Sequence, residues 1–170
     1  RLLRAAGLTE ENALLNFGLA PPNARRDIAM LGMIHRKVLG HGPEQFQKFF
    51  QLADVSKHPN GRIALGFHDR QLQPYRCGNF LDTTAHSLLG AIDVYNLLPK
   101  YAISANDAST FQNRLQQLLK AAAQDASPEW STILSNRHLI FRHPLLRFGG
   151  FEGPAKNGGC ALATSGIGEG

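Results

Sequence analysis

The sequence predicts an all-α chain of about five amphipathic helices, with one irregular or short extended basic segment and a disordered C-terminal tail. Three observations carry this. Apolar residues recur at spacings of three and four in several separate windows, as helices with one buried face require. Proline and glycine fall between those windows, where helices start and stop. From Gly149-Gly150 onward the chain is glycine-rich and holds few large apolar side chains, too few for a core of its own.

The elements follow in order. Thr9 is placed to cap a short helix from Glu10 to about Phe17, with Glu10 and Glu11 in the first turn, where the helix dipole favours acids. Pro21-Pro22 then interrupts the chain. The best-supported helix runs from about Asn23 to Leu39. Ile28, Leu31, Ile34 and Val38 share its apolar face, Arg36 and Lys37 lie at its C-terminal end, and Gly40 stops it. Gly32, inside the helix, marks a close crossing with another helix. Pro43 suits the first position of a further helix, and Phe46, Phe49 and Phe50 read as an aromatic stripe that anchors it in the core; the alternative is a base-stacking platform for nucleic acid, which would need the rings exposed beside basic groups.

Between Ala53 and Asn79 the pattern weakens. His58-Pro59-Asn60-Gly61 reads as a turn, and the alternation from Arg62 to His68 fits a short strand or extended segment. Arg62, His68, Arg70 and Arg76 make this the most basic stretch of low regularity. A second long helix is expected from about Asp82 to Leu97, with Leu88, Leu89, Ile92 and Tyr95 inward and Pro99 just beyond it. Another covers about Asp107 to Ala123. It buries Phe111, Leu115, Leu118 and Leu119 and turns Gln112, Asn113, Gln116 and Gln117 outward. Ser127-Pro128-Glu129 opens a short last helix carrying Trp130, Ile133 and Leu134. The helical domain thus occupies residues 1–136, and residues 137–170 form a basic, then glycine-rich, disordered tail.

Composition bounds the function. The chain has 170 residues, a formal net charge of +5 and a pI of about 9.6. That charge permits binding to nucleic acid or to an anionic surface. No continuous apolar run is long enough to span a membrane. The chain opens at Arg1 without the apolar centre of a secretion signal, so it reads as a fragment or processed product. The two cysteines, Cys77 and Cys160, lie far apart and are expected to be reduced thiols.

Catalytic and metal signals are weak. Polymerase chemistry needs clustered carboxylates to hold two divalent cations, whereas Asp69, Asp82, Asp93 and Asp107 are isolated and no Asp-Asp pair occurs. The seven histidines lack the tight Cys/His spacing of a zinc site, so no metal ligand is assigned. They read as solvent-facing or loop side chains, with a favourable dipole contact explaining His35. No Gly-x-Ser-x-Gly elbow is present. No catalytic residue is assigned. Anion binding fares better: Arg25 and Arg26 near the start of the basic helix, and Arg36, Lys37 and His41 near its end, suit phosphate contacts that carry no base information.

The order of certain stretches adds to this. Arg25-Arg26-Asp27-Ile28-Ala29-Met30-Leu31-Gly32-Met33-Ile34-His35-Arg36 is followed by Tyr95-Asn96-Leu97-Leu98-Pro99 and then by Phe111-x-x-x-Leu115. Over about Leu8 to Leu134 this resembles the region after the polymerase core in reverse transcriptases of non-LTR (LINE-like) retrotransposons. Val94-Tyr95 departs from the Leu-Trp found in many relatives. The resemblance implies a non-catalytic, thumb-like C-terminal part of an RNA-directed DNA polymerase that supports binding of RNA or an RNA–DNA duplex. Its partners would be that nucleic acid and the upstream polymerase domain, not a membrane. Divalent metal ions would be needed only in the polymerase core, and no cofactor in this chain. The location would be intracellular, with the nucleus open to a retrotransposon protein. The expected backbone contacts are Arg25, Arg26, Arg36 and Lys37, then Arg62, Arg70 and Arg76. The alternative is a helical protein–protein interaction module with an incidental basic surface. It would expose apolar side chains among Phe46, Phe49, Phe50, Tyr95 and Trp130.

Overall fold

The chain packs as helices around one apolar core, as its periodicity predicts. The computed structural model describes residues 7–53, 68–74 and 87–148. Within them lie α1 (Glu10–Phe17), α2 (Pro22–Val38), α3 (Ala91–Leu97), α4 (Lys100–Ile103) and α5 (Ala108–Gln124), with 3-10 turns at Glu44–Phe49, Trp130–Thr132, Ile140–Arg142 and Pro144–Phe148. The expected turn at 58–61, the extended stretch up to Phe67, Cys77, Cys160 and the glycine-rich end lie outside the described residues. No described helix is long and apolar enough to cross a membrane.

Helix α1 begins and ends where its sequence directs. Thr9 Oγ1 accepts the Asn12 amide at 3.1 Å, which satisfies one of the orphan donors of the first turn. Gly18, at φ +68°, closes the helix in the left-handed region that glycine enters without a Cβ penalty. Pro22 is the first residue of α2, one position ahead of the expected Asn23. Its missing N–H would have had no partner there in any case.

α2 and α5 form the main helix pair, with α1, α3 and the Trp130 turn packed around them. On α2, Leu31 and Ile34 are fully buried, while Ile28 and Val38 are half-buried at the edges of the same face. Gly32 does mark a close crossing: a Cβ there would overlap the Gln112 side chain of α5. α5 is capped by Asp107, whose carboxylate accepts the Thr110 amide at 2.8 Å and the Thr110 hydroxyl at 2.7 Å. Those bonds to Thr110 favour the ionised form and hold the Asp107 carboxyl below its usual range. Phe111, Leu115, Leu118 and Leu119 are all buried, as expected. Of the four residues expected to face out, Asn113 and Gln117 do. Gln112 and Gln116 are half-buried, and Gln116 donates to Gly18 O at 2.7 Å, tying α5 to the end of α1.

Several expectations are corrected. The aromatic segment after Pro43 is a 3-10 turn, and Pro43 precedes it. Its three phenylalanines do not share one fate: Phe50 is buried, Phe49 is half-buried, and Phe46 is 39 % exposed. The helix expected from Asp82 is seen only from Ala91, since residues 82–86 are not described and residues 87–90 form a turn. The Ser87 hydroxyl takes the Leu89 amide at 3.2 Å, a local bond that competes with helix formation, and Gly90 follows. α3 does end at Leu97 with Pro99 just beyond it, as expected, and the Pro99 carbonyl then starts α4 by accepting from Ala102 and Ile103. Ser127-Pro128-Glu129 opens a 3-10 turn, although Ile133 and Leu134 are buried as expected.

The boundary expected at residue 136 is also passed. His143 is buried between the Ser135 carbonyl, 3.0 Å from its Nε2, and the Leu145 amide, 3.2 Å from its Nδ1. Leu145 is completely buried in the core. The packed domain therefore includes residues 137–148. Leu145→Ala is expected to destabilise the chain by about 2–5 kcal/mol, the usual cost of such a cavity. A thermal melt followed by circular dichroism checks this, and an unchanged midpoint would return the boundary to residue 136.

Candidate nucleic-acid interface

The sequence-predicted cations separate into three groups. Arg25, Arg26 and Arg36 are exposed on α2. Arg25 and Arg36 are eleven residues apart, which on an α-helix is a rise of about 16 Å with a turn of only about 20° between their directions. Met33, 59 % exposed, lies between them on the same outward side. Arg26 stands beside them, its Nη2 3.4 Å from Asp27 Oδ1, with a side chain still 56 % exposed. Asp27 itself turns inward and is buried. Burial pushes its carboxyl above the usual range, and the neighbouring Arg26 partly counters that.

Lys37 and Arg70 have other partners. Lys37 is only 9 % exposed, and its ammonium donates to Pro43 O at 3.0 Å, pinning the turn that leaves α2. Arg70 is half-buried. Its Nη1 donates to Ile103 O at 3.0 Å and to Ala105 O at 3.2 Å, closing the carbonyl end of α4. Arg62 and Arg76 lie outside the described residues.

At the C-terminal end of α2 lies an open groove of ≈ 270 Å³. Met33, Phe46, Phe50 and Leu88 give it apolar walls, and Arg36, Lys37 and His41 stand at its polar side. Phe46 is thus an accessible aromatic ring beside cationic groups. Phe49, in contrast, lies under Lys48, whose Nζ is 4.9 Å from the ring centroid.

Beneath this surface is a polar node that the sequence reading missed. His35 is completely buried, not a solvent-facing residue at a helix end. Its ring stacks on Phe111 with centroids 4.1 Å apart and 5° between planes. Its Nε2 is 3.0 Å from Ala105 O and its Nδ1 is 3.0 Å from the Tyr95 hydroxyl. A carbonyl only accepts, so Nε2 carries the proton, and Nδ1 accepts from the tyrosine. His68 repeats the device: its Nε2 donates to Tyr95 O at 3.0 Å while its Nδ1 accepts the Arg70 amide at 3.2 Å. Asn96 completes the frame by pairing with both backbone groups of Leu72 at 2.8 Å. This props the isolated antiparallel bridge between Leu52 and Leu72. Desolvation holds His35, His68 and His143 neutral by lowering their pKa values, and it pushes the Tyr95 phenol upward.

Three separate stretches meet in this node: His35 comes from α2, Tyr95 and Asn96 from α3, and Phe111 from α5, while Asp27 and Leu31 precede His35 at intervals of four along the same buried side of α2. Their roles here are structural, and the exposed arginines are held on the opposite side of α2. Position was the missed signal for His35: it falls four residues after Leu31, inside the apolar stripe. Among the described residues, no three His, Cys, Asp or Glu side chains converge as a metal site requires. No family model matches the chain, and neither a curated protein nor a solved structure shows detectable similarity to it.

Proposed function

We propose that this chain is a non-catalytic helical domain that holds nucleic acid by its phosphate backbone. On the resemblance of its sequence, it would be the C-terminal region of a non-LTR retrotransposon reverse transcriptase, acting on RNA or an RNA–DNA duplex beside an upstream polymerase domain. The observation that carries the reading is the outward strip Arg25–Arg26–Arg36 on a helix whose inner side is fixed by the buried node. Exposed guanidiniums on a rigid element suit phosphate contacts, which set register without reading sequence.

The test is binding of the purified chain to single-stranded RNA, duplex DNA and an RNA–DNA hybrid across a salt series. The expected result is affinity that falls steeply with salt and is strongest for RNA or the hybrid. A folded chain that binds none of them at low salt would overturn the proposal.

One observation favours a second reading, a protein–protein interaction module. Leu139, Ile140 and Phe141 are 61 %, 39 % and 67 % exposed in succession. Of the aromatic side chains on which that reading first rested, Phe46 alone is exposed, while Tyr95 and Phe50 are buried and Phe49 and Trp130 are partly so. Association that is indifferent to salt would favour it.

A further inference from the structure

We propose that the groove at the C-terminal end of α2 takes one unstacked base of a single strand. The base would lie against Phe46, and the adjoining phosphate would sit on Arg36. This deepens the nucleic-acid reading above and rests on it. The groove combines two features that a paired duplex does not use together: an accessible aromatic ring, 39 % exposed, and cationic side chains in the same lining. Bases in a duplex keep their faces stacked on one another, so a ring such as Phe46 has a partner only where a base is free. Arg36 faces the groove and also stands on the outward strip of α2, so a backbone tracked along Arg25 and Arg26 would reach the groove at its far end. The open groove of ≈ 270 Å³ is large enough to admit one base. Lys37, held by the Pro43 carbonyl, keeps the turn carrying the aromatic segment against α2 and so fixes the distance between ring and arginine.

The experiment measures binding of the full chain to a short single-stranded oligoadenylate containing the fluorescent base aminopurine, and to a duplex of the same length. Wild-type protein is expected to raise the aminopurine emission, because the base leaves the neighbours that quench it and a phenylalanine ring does not replace that quenching. Phe46→Ala is expected to lose that rise and about tenfold in single-strand affinity, the usual effect of removing one stacking partner. Duplex affinity should be unchanged. Phe46→Tyr is expected to restore both signals, and circular dichroism confirms that each variant is folded.

If duplex binding persists and Phe46→Ala leaves single-strand affinity and the rise in emission at wild-type levels, the groove inference is overturned while the backbone-binding function stands. If the folded chain binds neither strand form, both fall. Equal binding of a poly(Glu,Tyr) peptide, with the same loss in Phe46→Ala, would overturn the assignment to nucleic acid and point to an acidic aromatic protein segment.

Discussion

Replacing Arg25, Arg26 and Arg36 together by glutamine should make duplex binding much weaker and much less sensitive to salt. Each phosphate neutralised releases condensed counterions, so the slope of log affinity against log salt scales with the number of contacts. Three lost contacts should make that slope shallower by about 2.7 for a duplex, equivalent to roughly a 40-fold smaller drop in affinity between 50 and 200 mM salt. Glutamine is preferred to glutamate because Arg26 lies 3.4 Å from the Asp27 carboxylate, and a new anion there would disturb a buried residue. Lys37 is left in place, since its bond to Pro43 O makes its loss a structural change. Binding isotherms across a salt series give the slope, and thermal melts show whether the fold survives. An unchanged slope in a folded triple variant would remove α2 from the interface.

The fold was legible where one residue decides the local structure. Thr9, Asp107 and Gly40 mark helix ends by chemistry that does not depend on the rest of the chain. The stripe Phe111–Leu115–Leu118–Leu119 needs only the helical period. Legibility failed where tertiary partners decide. Asp82 to Leu97 has a helical pattern, yet Ser87 and Gly90 make a turn before α3. Pro99 marks the end of α3 as expected, but its carbonyl's part in opening α4 is decided by tertiary structure. Residues 137–148 look too basic for a core, but His143, Pro144 and Leu145 are buried while Arg142 and Arg147 stay exposed.

The candidate site shows the same division. Exposure of Arg25, Arg26 and Arg36 follows from their place opposite Leu31 and Ile34 on a helix. The fates of Lys37 and Arg70 do not follow from the sequence. Each is committed to a backbone carbonyl that only the turn after α2, or the end of α4, presents. The accessible ring of Phe46 was hidden because three phenylalanines in a short segment look alike until a 3-10 turn points them in different directions.

Mild acid should unfold this chain, with the buried histidines as the cause. His35, His68 and His143 are buried, each accepts a hydrogen bond on Nδ1, and burial lowers the pKa of each below its ordinary 6.5. In the unfolded chain they take protons near pH 6.5; in the folded chain they take them only at lower pH. Their contribution is therefore complete above 6.5 and is lost as pH falls below it, through the folded values. Each histidine adds a limiting slope of about 1.4 kcal/mol per pH unit in that window. Around His35, Arg70 and Arg114 oppose the imidazolium and Asp107 favours it, while desolvation outweighs both influences. Asp27 acts in the opposite sense at lower pH, since its raised pKa lets the folded chain take a proton first. Thermal melts between pH 8 and about pH 5 should show a midpoint that is flat above 6.5 and falls steeply below it. His35→Ala should lower the midpoint at pH 8 by roughly 10 °C or more, because it opens a ring-sized cavity against Phe111 and leaves the Tyr95 hydroxyl unpaired. His35→Phe keeps most of the volume, so it isolates the proton: the acid slope should shrink by one histidine's share. A slope unchanged in His35→Phe would mean that this ring does not titrate on unfolding, and the acid sensitivity would have to come from His68 and His143.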